Sequence, residues 1–125
     1  MRPLLDTSVL VDHLRGVPDA LDLLERERRA GALHASEVTR LEVLAGMRPR
    51  EEDGTRRLLS SLRFHPLDED VAEEAGRLGR RWLPSHSGID AADLAVAATA
   101  TLRGLRLVTL NVKHFPMFED LQRPW

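Results

Sequence analysis

Apolar and polar positions along this chain fall into blocks that predict short strands alternating with amphipathic helices. The apolar run Pro3–Leu5 predicts a first strand, and leucines at helical spacing then predict two helical pieces that break near residues 16–18. Gly31 is expected to end the second piece, and residues 33–35 predict a second strand. This order of strand, helices and strand is typical of an α/β fold.

The rest of the chain continues the alternation. Ser36 is expected to cap a helix that stops at Gly46 or Pro49, and Asp68 to cap a later helix that runs to Trp82. The other predicted elements are helices at 51–62 and 89–102, short strands at 64–67 and 105–110, a loop at 84–88 and an irregular tail from 112. The helix at 89–102 is almost wholly apolar and small, so we expect it to be buried. Strands separated by helices favour a small parallel sheet covered on both faces.

Size and composition indicate one globular domain over residues 1–125. Of the 125 residues, 42% are hydrophobic and 30% charged, which is ordinary for a soluble protein with one continuous core. No apolar run approaches the ~18 residues of a membrane span, and Asp6 and Asp12 interrupt the apolar opening, so neither a membrane segment nor a signal peptide is expected. Cysteine is absent, which excludes disulfides and thiolate-bound zinc and is compatible with a cytoplasmic protein.

The positive charges are clustered, although the net charge of −2 argues against binding polyanions through global charge. Lys113 is the only lysine, so arginine carries nearly all the positive charge. Two interpretations have equal weight: solvated helix faces, or surfaces that bind phosphates. The clustered residues are Arg26, Arg28 and Arg29, then Arg48, Arg50, Arg56 and Arg57, and then Arg77, Arg80 and Arg81.

Asp6 is the first candidate for a functional site. It follows the first predicted strand at its carboxyl end, where open α/β sheets bind their ligands. Thr7 or Ser8 can cap the following helix, which would leave the Asp6 carboxylate free; a helix cap formed by Asp6 itself is the alternative.

Glu42 is the second candidate, because it lies inside an apolar helical run beside a stripe that includes Leu41. An ion pair with a nearby arginine such as Arg40 is the structural alternative. Glu37 is an ordinary first-turn acid that interacts favourably with the helix dipole. We therefore assign Glu42 to the functional set and Glu37 to the structural one.

Asp90, Asp93 and Asn111 complete the candidate set. The two aspartates lie three residues apart, so both can face one side of the first turn of their helix, and Asp93 ranks higher because it is deeper in the apolar helix. The structural alternative for the two aspartates is a pair of first-turn acids that interact with the helix dipole. The structural alternative for Asn111 is an ordinary turn residue. Acids that converge in apolar surroundings need a cation to offset their desolvation, so the set suggests a divalent metal site. The histidines, at positions 13, 34, 65, 86 and 114, show no paired ligand spacing and are interpreted as surface or packing residues.

Four segments of the chain resemble the PIN-domain nucleases, and among them the VapC-type toxins of bacterial toxin–antitoxin pairs. The segments LLDTSVLVD, RLEVLAG, DLAVAATA and TLNVKHF occur in this order and cover essentially the whole chain. The resemblance implies a three-layer α/β/α sandwich around a small parallel sheet and cleavage of RNA, tRNA or rRNA for example, with Mg²⁺ or Mn²⁺. It also implies a homodimer and inhibition by a cognate antitoxin protein.

The resemblance also assigns roles to the candidate residues. Asp6, Glu42 and Asp93 match the family's catalytic acids, with Asp6 and Asp93 as the principal metal ligands. Asn111 stands where some relatives carry an acid, and Asp90 falls where the family is less uniform, so these two are auxiliary candidates.

Two other functions remain open, a phosphoacceptor (receiver-like) signalling domain and a catalytically inert RNA-binding PIN-like module. A receiver needs an acidic pair after the first strand, and this chain has Asp6 alone there. An inert module would not need converging acids. A surplus of leucines in the first two helical pieces, Leu10, Leu14, Leu21, Leu23 and Leu24, predicts that this region binds the antitoxin, while the homodimer buries a different surface.

Overall fold

The computed structural model describes all residues, 1–125, as four short strands and six α-helices. The strands are β1 (Pro3–Leu5), β2 (His34–Ser36), β3 (Arg63–His65) and β4 (Arg106–Val108). The helices are α1 (Thr7–Leu14), α2 (Pro18–Ala30), α3 (Glu37–Ala45), α4 (Glu52–Ser60), α5 (Glu69–Trp82) and α6 (Ala91–Arg103). Two single 3₁₀ turns, Pro49–Glu51 and Val112–His114, precede α4 and follow β4.

The four strands form one parallel sheet in the order β3-β2-β1-β4. In this order β1 is a central strand, and it pairs with β4 on one side and β2 on the other. Because all strands run in the same direction, their carboxyl ends lie at one edge of the sheet. Asp6 extends the β1–β4 ladder by one step, since its backbone N–H donates to the Val108 carbonyl at 3.0 Å.

Side chains alternate across the sheet and feed two separate hydrophobic cores. Leu5 and Val108 point to the core made with α1 to α4, whereas Leu4 and Leu107 point to the core made with α5 and α6. Helices therefore cover both faces, and the predicted three-layer α/β/α sandwich is confirmed.

Helix α6 has the most buried residues of the six helices, as its small apolar sequence predicts. Seven consecutive residues, 94 to 100, are buried, and Gly79 of α5 lets the two helices approach closely. A Cβ at Gly79 would lie 3.2 Å from Leu94 Cδ1, so even alanine would require this leucine side chain to shift by a few tenths of an ångström. Gly104 ends α6 in the left-handed conformation, with φ of 64°.

Several predicted boundaries are wrong by one or two residues. β2 begins at His34 and ends on Ser36, which is also the N-cap of α3. β3 covers 63–65 rather than 64–67, and β4 covers 106–108 rather than 105–110. These strands are too short for an alternating apolar pattern to define their ends.

Two predictions about apolar faces are also wrong. On α3 the buried side chains are Thr39 and Val43, whereas Leu41 is 65% exposed, so the apolar stripe does not lie where helical spacing placed it. The first two helices carry no surplus of leucine either. Leu10, Leu23 and Leu24 are buried in the core and Leu14 packs against it, which leaves only Leu21 exposed.

No helix combines the length and apolarity needed to cross a membrane.

Candidate acidic pocket

A pocket of about 370 Å³ opens at the carboxyl ends of β1 and β4. It is lined by all five predicted site residues, Asp6, Glu42, Asp90, Asp93 and Asn111. Seven further residues line it, namely Thr7, Ser8, Val11, Asp12, Arg15, Leu110 and His114. Five of the twelve are acids, so the pocket is a concentration of negative charge assembled from distant parts of the chain.

Asp6 lies at the bottom of the pocket, only 5% exposed. It is the N-cap residue of α1, but its carboxylate makes no capping hydrogen bond. Instead, Asp6 Oδ2 accepts a 2.7 Å hydrogen bond from Thr109 Oγ1 and a longer one, 3.4 Å, from Ser8 Oγ. The prediction that Thr7 or Ser8 caps this helix is wrong, because both belong to its first turn and their hydroxyls turn toward the pocket.

Burial raises the pKa of the Asp6 carboxyl above its ordinary value. The hydrogen bonds from Thr109, the Thr7 backbone and Ser8 partly offset this shift, while the negative charge of Asp90 adds to it. No cationic side chain pairs with Asp6, so the cost of burying its charge is not offset by a counter-charge.

Glu42 reaches the pocket from the middle of α3. Its Oε1 accepts a 2.7 Å hydrogen bond from Thr7 Oγ1, which holds the carboxylate against the start of α1. The structural alternative for Glu42 was an ion pair with Arg40, but Arg40 pairs with Glu37 instead. Glu37 is thus the structural first-turn acid, as predicted, and Glu42 stays free of cationic partners.

Asp90 and Asp93 form a reciprocal capping box at the start of α6. Asp90 Oδ1 accepts the backbone N–H of Asp93 at 2.8 Å, and Asp93 Oδ2 accepts that of Asp90 at 3.1 Å. Asp90 is exposed, whereas the Asp93 side chain is only 13% exposed. Burial raises the pKa of Asp93 to about 6; the N–H of Asp90 and nearby His114 oppose this shift, and the charge of Asp90 reinforces it.

The sequence analysis interpreted His114 as a surface or packing residue, but the structure places it in the lining of the acidic pocket. Its Nδ1 lies 3.0 Å from Asp93 Oδ2, and the ring lines the pocket beside Asn111. The 3₁₀ turn Val112–His114 brings it there, immediately after Asn111. The proximity of His114 to Asn111 in the TLNVKHF segment was the available signal, but metal-ligand spacing was the wrong criterion for a histidine that bonds a carboxylate.

Thr109 and Ser8 were also missed. Thr109 is fully buried, and its hydroxyl accepts the Asn111 backbone N–H at 3.0 Å while it donates to Asp6. Ser8 Oγ accepts the Leu110 N–H at 3.1 Å. These two hydroxyls connect the turn after β4 to the start of α1, so that Asp6 and Asn111 are fixed relative to each other.

The donor chemistry of the pocket fits a hard divalent cation. Its acids and its amide offer oxygen ligands, and the burial that raises the pKa of Asp6 and Asp93 makes their charged forms costly unless a cation lies nearby. No three histidine or acidic side chains converge closely enough to form a complete metal cage. Mg²⁺ keeps several waters and takes only one or two carboxylates directly, so it needs no such cage.

Most of the clustered arginines lie on solvated helix faces. Arg29, Arg56 and Arg77 pair with acids one helical turn away on their own helices, and Arg28 donates to Ser61. The first interpretation of the clusters, solvated faces, therefore accounts for these residues, while Arg48 lies near the pocket and is treated below.

The fold and the site together define a class, a parallel α/β domain with an acidic pocket at the carboxyl ends of its strands. The chain belongs to the PIN domain family, whose model matches residues 4–117. The resemblance seen in the sequence is thereby confirmed.

Similar proteins cover nearly the whole chain. It is 46% identical to ribonuclease VapC10 of Mycobacterium tuberculosis over 122 residues, which cover 98% of this chain and 92% of the relative. It is also 46% identical to ribonuclease VapC19 of the same organism over 123 residues, covering 98% of each chain. A chain of a solved toxin–antitoxin complex from Klebsiella pneumoniae matches with a TM-score of 0.81 and 27% identity, covering 98% of both chains.

Proposed function

We propose that this protein is a ribonuclease toxin that hydrolyses phosphodiester bonds in RNA with Mg²⁺ or Mn²⁺. The observation that carries the proposal is the convergence of Asp6, Glu42 and Asp93, from β1, α3 and α6, on one pocket without a cationic side chain paired to Asp6 or Glu42. The M. tuberculosis relatives are named ribonucleases and match over nearly the full length, which supports the same activity here.

Asp6 and Asp93 are the proposed metal ligands, and Glu42 the proposed proton acceptor. A bound divalent ion would supply an acidified water and positive charge opposite the phosphate. Asp6, fixed by Thr109, and Asp93, fixed by Asp90 and His114, would hold that ion between them. Glu42, whose carboxylate is oriented by Thr7, would take a proton from the attacking water.

The two auxiliary residues have more limited roles in this proposal. Asp90 caps α6 and contributes charge from the exposed rim, and Asn111 offers a neutral amide that can bond a water or a carboxylate. With the metal removed, five acids would repel a phosphodiester, so the activity is expected to depend strictly on the divalent ion.

The two alternative functions are disfavoured for specific reasons. A receiver-like phosphoacceptor needs an acidic pair after β1, and Asp6 is followed there by Thr7 and Ser8, whose hydroxyls bond Glu42 and Asp6. An inert RNA-binding module has no use for desolvated acids, yet the side chains of Asp6 and Asp93 are largely buried in the pocket.

The proposed partners are an RNA substrate, with tRNA and rRNA as candidates, a cognate antitoxin and a second copy of the chain. The antitoxin is supported by the solved neighbours, among them a toxin–antitoxin complex. The leucine-based location of the antitoxin surface is not proposed again, because only Leu21 of those five leucines is exposed. The homodimer remains a prediction.

The test is cleavage of RNA by the purified chain with Mg²⁺ or Mn²⁺ and its loss in excess EDTA. Asp6→Asn is expected to abolish cleavage while the protein stays folded, and Asp22→Asn, which removes an exposed acid on α2, is the matched control. Cleavage that persists after chelation, or an Asp6→Asn variant with full activity, would refute the metal mechanism. Sequencing of RNA ends after brief expression, with and without the neighbouring antitoxin gene, identifies the substrate and the inhibitor together.

A further inference from the structure

Beside the acidic pocket lies a second, smaller depression of about 240 Å³, which we call the side groove. Three residues, Val11, Arg15 and Glu42, line both the side groove and the acidic pocket, so the two form one continuous depression. The groove extends from this junction between α1, the end of α3 and α4. Its further lining includes Leu14, Val43, Met47, Arg48 and Thr55.

The two arginines of the side groove form no ion pair. Seven of the 17 arginines pair with acids, and Arg15 and Arg48 are among the ten that pair with none. This is notable for Arg15, since it lines a pocket that contains five acids. Both guanidinium groups therefore keep their donors available for an external anion.

The acids of the side groove are already engaged. Glu51 Oε1 accepts the backbone N–H of Arg48 at 2.8 Å, which fixes the loop that carries this arginine. Glu42 accepts from Thr7 at the pocket end. With two arginines and two glutamates in its lining, the side groove is much less negative than the acidic pocket.

The size and lining of the groove fit one nucleoside. Its volume of about 240 Å³ is below the ~300–1,000 Å³ of pockets for drug-sized ligands. Leu14, Val43 and Met47 give it an apolar floor without an aromatic ring, which holds a base by packing and does not favour a particular base.

We infer that the side groove is a substrate subsite for the nucleotide one step removed from the scissile phosphate. Arg15 contacts the phosphate between that nucleotide and the cleaved position, and Arg48 contacts the phosphate on the other side of the nucleotide. The apolar floor of the groove holds the base of the same nucleotide. The inference rests on the proposed ribonuclease function. It follows from the continuity of the groove with the acidic pocket and from the two unpaired arginines.

The first test compares Arg15→Gln and Arg48→Gln with Arg80→Gln, which removes an exposed, unpaired arginine on α5. For each groove variant, KM for a cleaved RNA is expected to rise about tenfold, more than any change in kcat. The slope of log(kcat/KM) against log salt is expected to become shallower by about 0.7 for each lost contact to a single strand. Arg80→Gln is expected to leave KM and slope unchanged.

The second test addresses the apolar floor. Met47→Gln keeps the side chain's length but makes it polar, and is expected to raise KM for intact RNA. An RNA that lacks the base of this one nucleotide is expected to bind wild type and Met47→Gln equally. If wild type binds the intact and abasic RNAs with the same KM, the base does not occupy the groove.

The outcomes separate this inference from the proposed function. A wild-type protein that cleaves no RNA overturns both. A wild-type protein that cleaves RNA while Arg15→Gln and Arg48→Gln keep its KM and salt slope overturns the subsite alone. Groove variants that cleave normally but escape inhibition by the antitoxin would assign the groove to a protein segment, and would equally overturn the subsite.

Discussion

Thr109 Oγ1 donates a 2.7 Å hydrogen bond to Asp6 Oδ2, and this contact joins the ends of the two paired strands β1 and β4. The hydroxyl is fully buried and also accepts the N–H of Asn111. It is therefore positioned to fix the Asp6 carboxylate, and its hydrogen bond opposes the rise that burial causes in the pKa of Asp6.

Thr109→Val keeps the shape of the side chain but removes this hydrogen bond. We expect RNA cleavage to fall about 10- to 100-fold, as for other groups that orient a metal ligand, and the free energy of unfolding to fall by about 1–2 kcal/mol. Cleavage assays and chemical denaturation measure the two effects.

Thr99→Val is the matched control for this change. Thr99 is equally buried, but its hydroxyl donates to the Ala95 carbonyl inside α6. Cleavage by Thr99→Val is expected to match wild type, and Thr109→Ser to recover most of the lost activity. Equal losses in Thr99→Val and Thr109→Val would mean that Thr109 acts only through packing.

The sequence predicted which acids share one pocket better than it predicted the element ends. Asp6, Glu42 and Asp93 were found because a buried acid conflicts with its apolar neighbours, and this conflict is visible without coordinates. The three-residue strands carry too little pattern to fix their ends, and on α3 the tertiary packing chose Thr39 and Val43 instead of Leu41.

The groups that hold the acids in place could not be predicted from sequence. Thr109 and Ser8 contact residues more than 100 positions away in the sequence, and His114 contacts Asp93, about 20 positions away. Each of the three is an ordinary residue in its own segment. Their roles depend on the parallel pairing of β1 with β4, which brings the turn after β4 next to α1. The catalytic roles of Asp6, Glu42 and Asp93 remain predictions.

Asp93 and Asp90 are expected to differ strongly in their effect on cleavage. Asp93→Asn is expected to lower kcat by about 100-fold or more, and Glu42→Gln to behave similarly. Asp90→Asn is expected to cost less than about tenfold, because Asn caps helices as well as Asp does and its oxygen can still accept the Asp93 N–H. Cleavage kinetics at saturating Mg²⁺ provide the comparison. An inactive Asp90→Asn with an active Asp93→Asn would reverse the assignment.

His114 is expected to act through Asp93 as a positioning residue. An ionised carboxylate only accepts hydrogen bonds, so Nδ1 of His114 must donate to Asp93 Oδ2. The amide nitrogen of His114→Asn can replace Nδ1, whereas that of His114→Gln takes the place of Nε2. We expect Mn²⁺ affinity, measured by calorimetry, to be largely retained in His114→Asn and to fall about tenfold in His114→Gln. Equal affinities in both variants would exclude this role.

His34 and His65 are expected to make the fold sensitive to acid. Their ring nitrogens lie 2.8 Å apart, and burial lowers the pKa of both histidines, assisted for His34 by His65, Arg63 and Arg2 and for His65 by Arg103. A lowered histidine pKa means that stability is present above about pH 6.5 and is lost as pH falls through the folded-state pKa. His65→Gln is expected to flatten the fall in melting temperature between pH 7.5 and 5, and His86→Gln, a partly exposed histidine, to leave it unchanged.

Asp93 is expected to give the metal-free protein the opposite pH dependence. Burial raises its pKa to about 6, above the ordinary value of 3.8. The stability linked to this group is therefore complete below about pH 4 and is lost as pH rises to about 6. Asp93→Asn removes the charge, and its amide oxygen can still accept the Asp90 N–H. At pH 7.5 in EDTA we expect the variant to melt about 3 °C above wild type, with the difference vanishing near pH 4.

Added Mg²⁺ is expected to stabilise wild type more than Asp93→Asn, because the ion neutralises the same carboxylate. A variant that melts below wild type at pH 7.5 would show that the Asp93 charge stabilises the metal-free fold, contrary to this account.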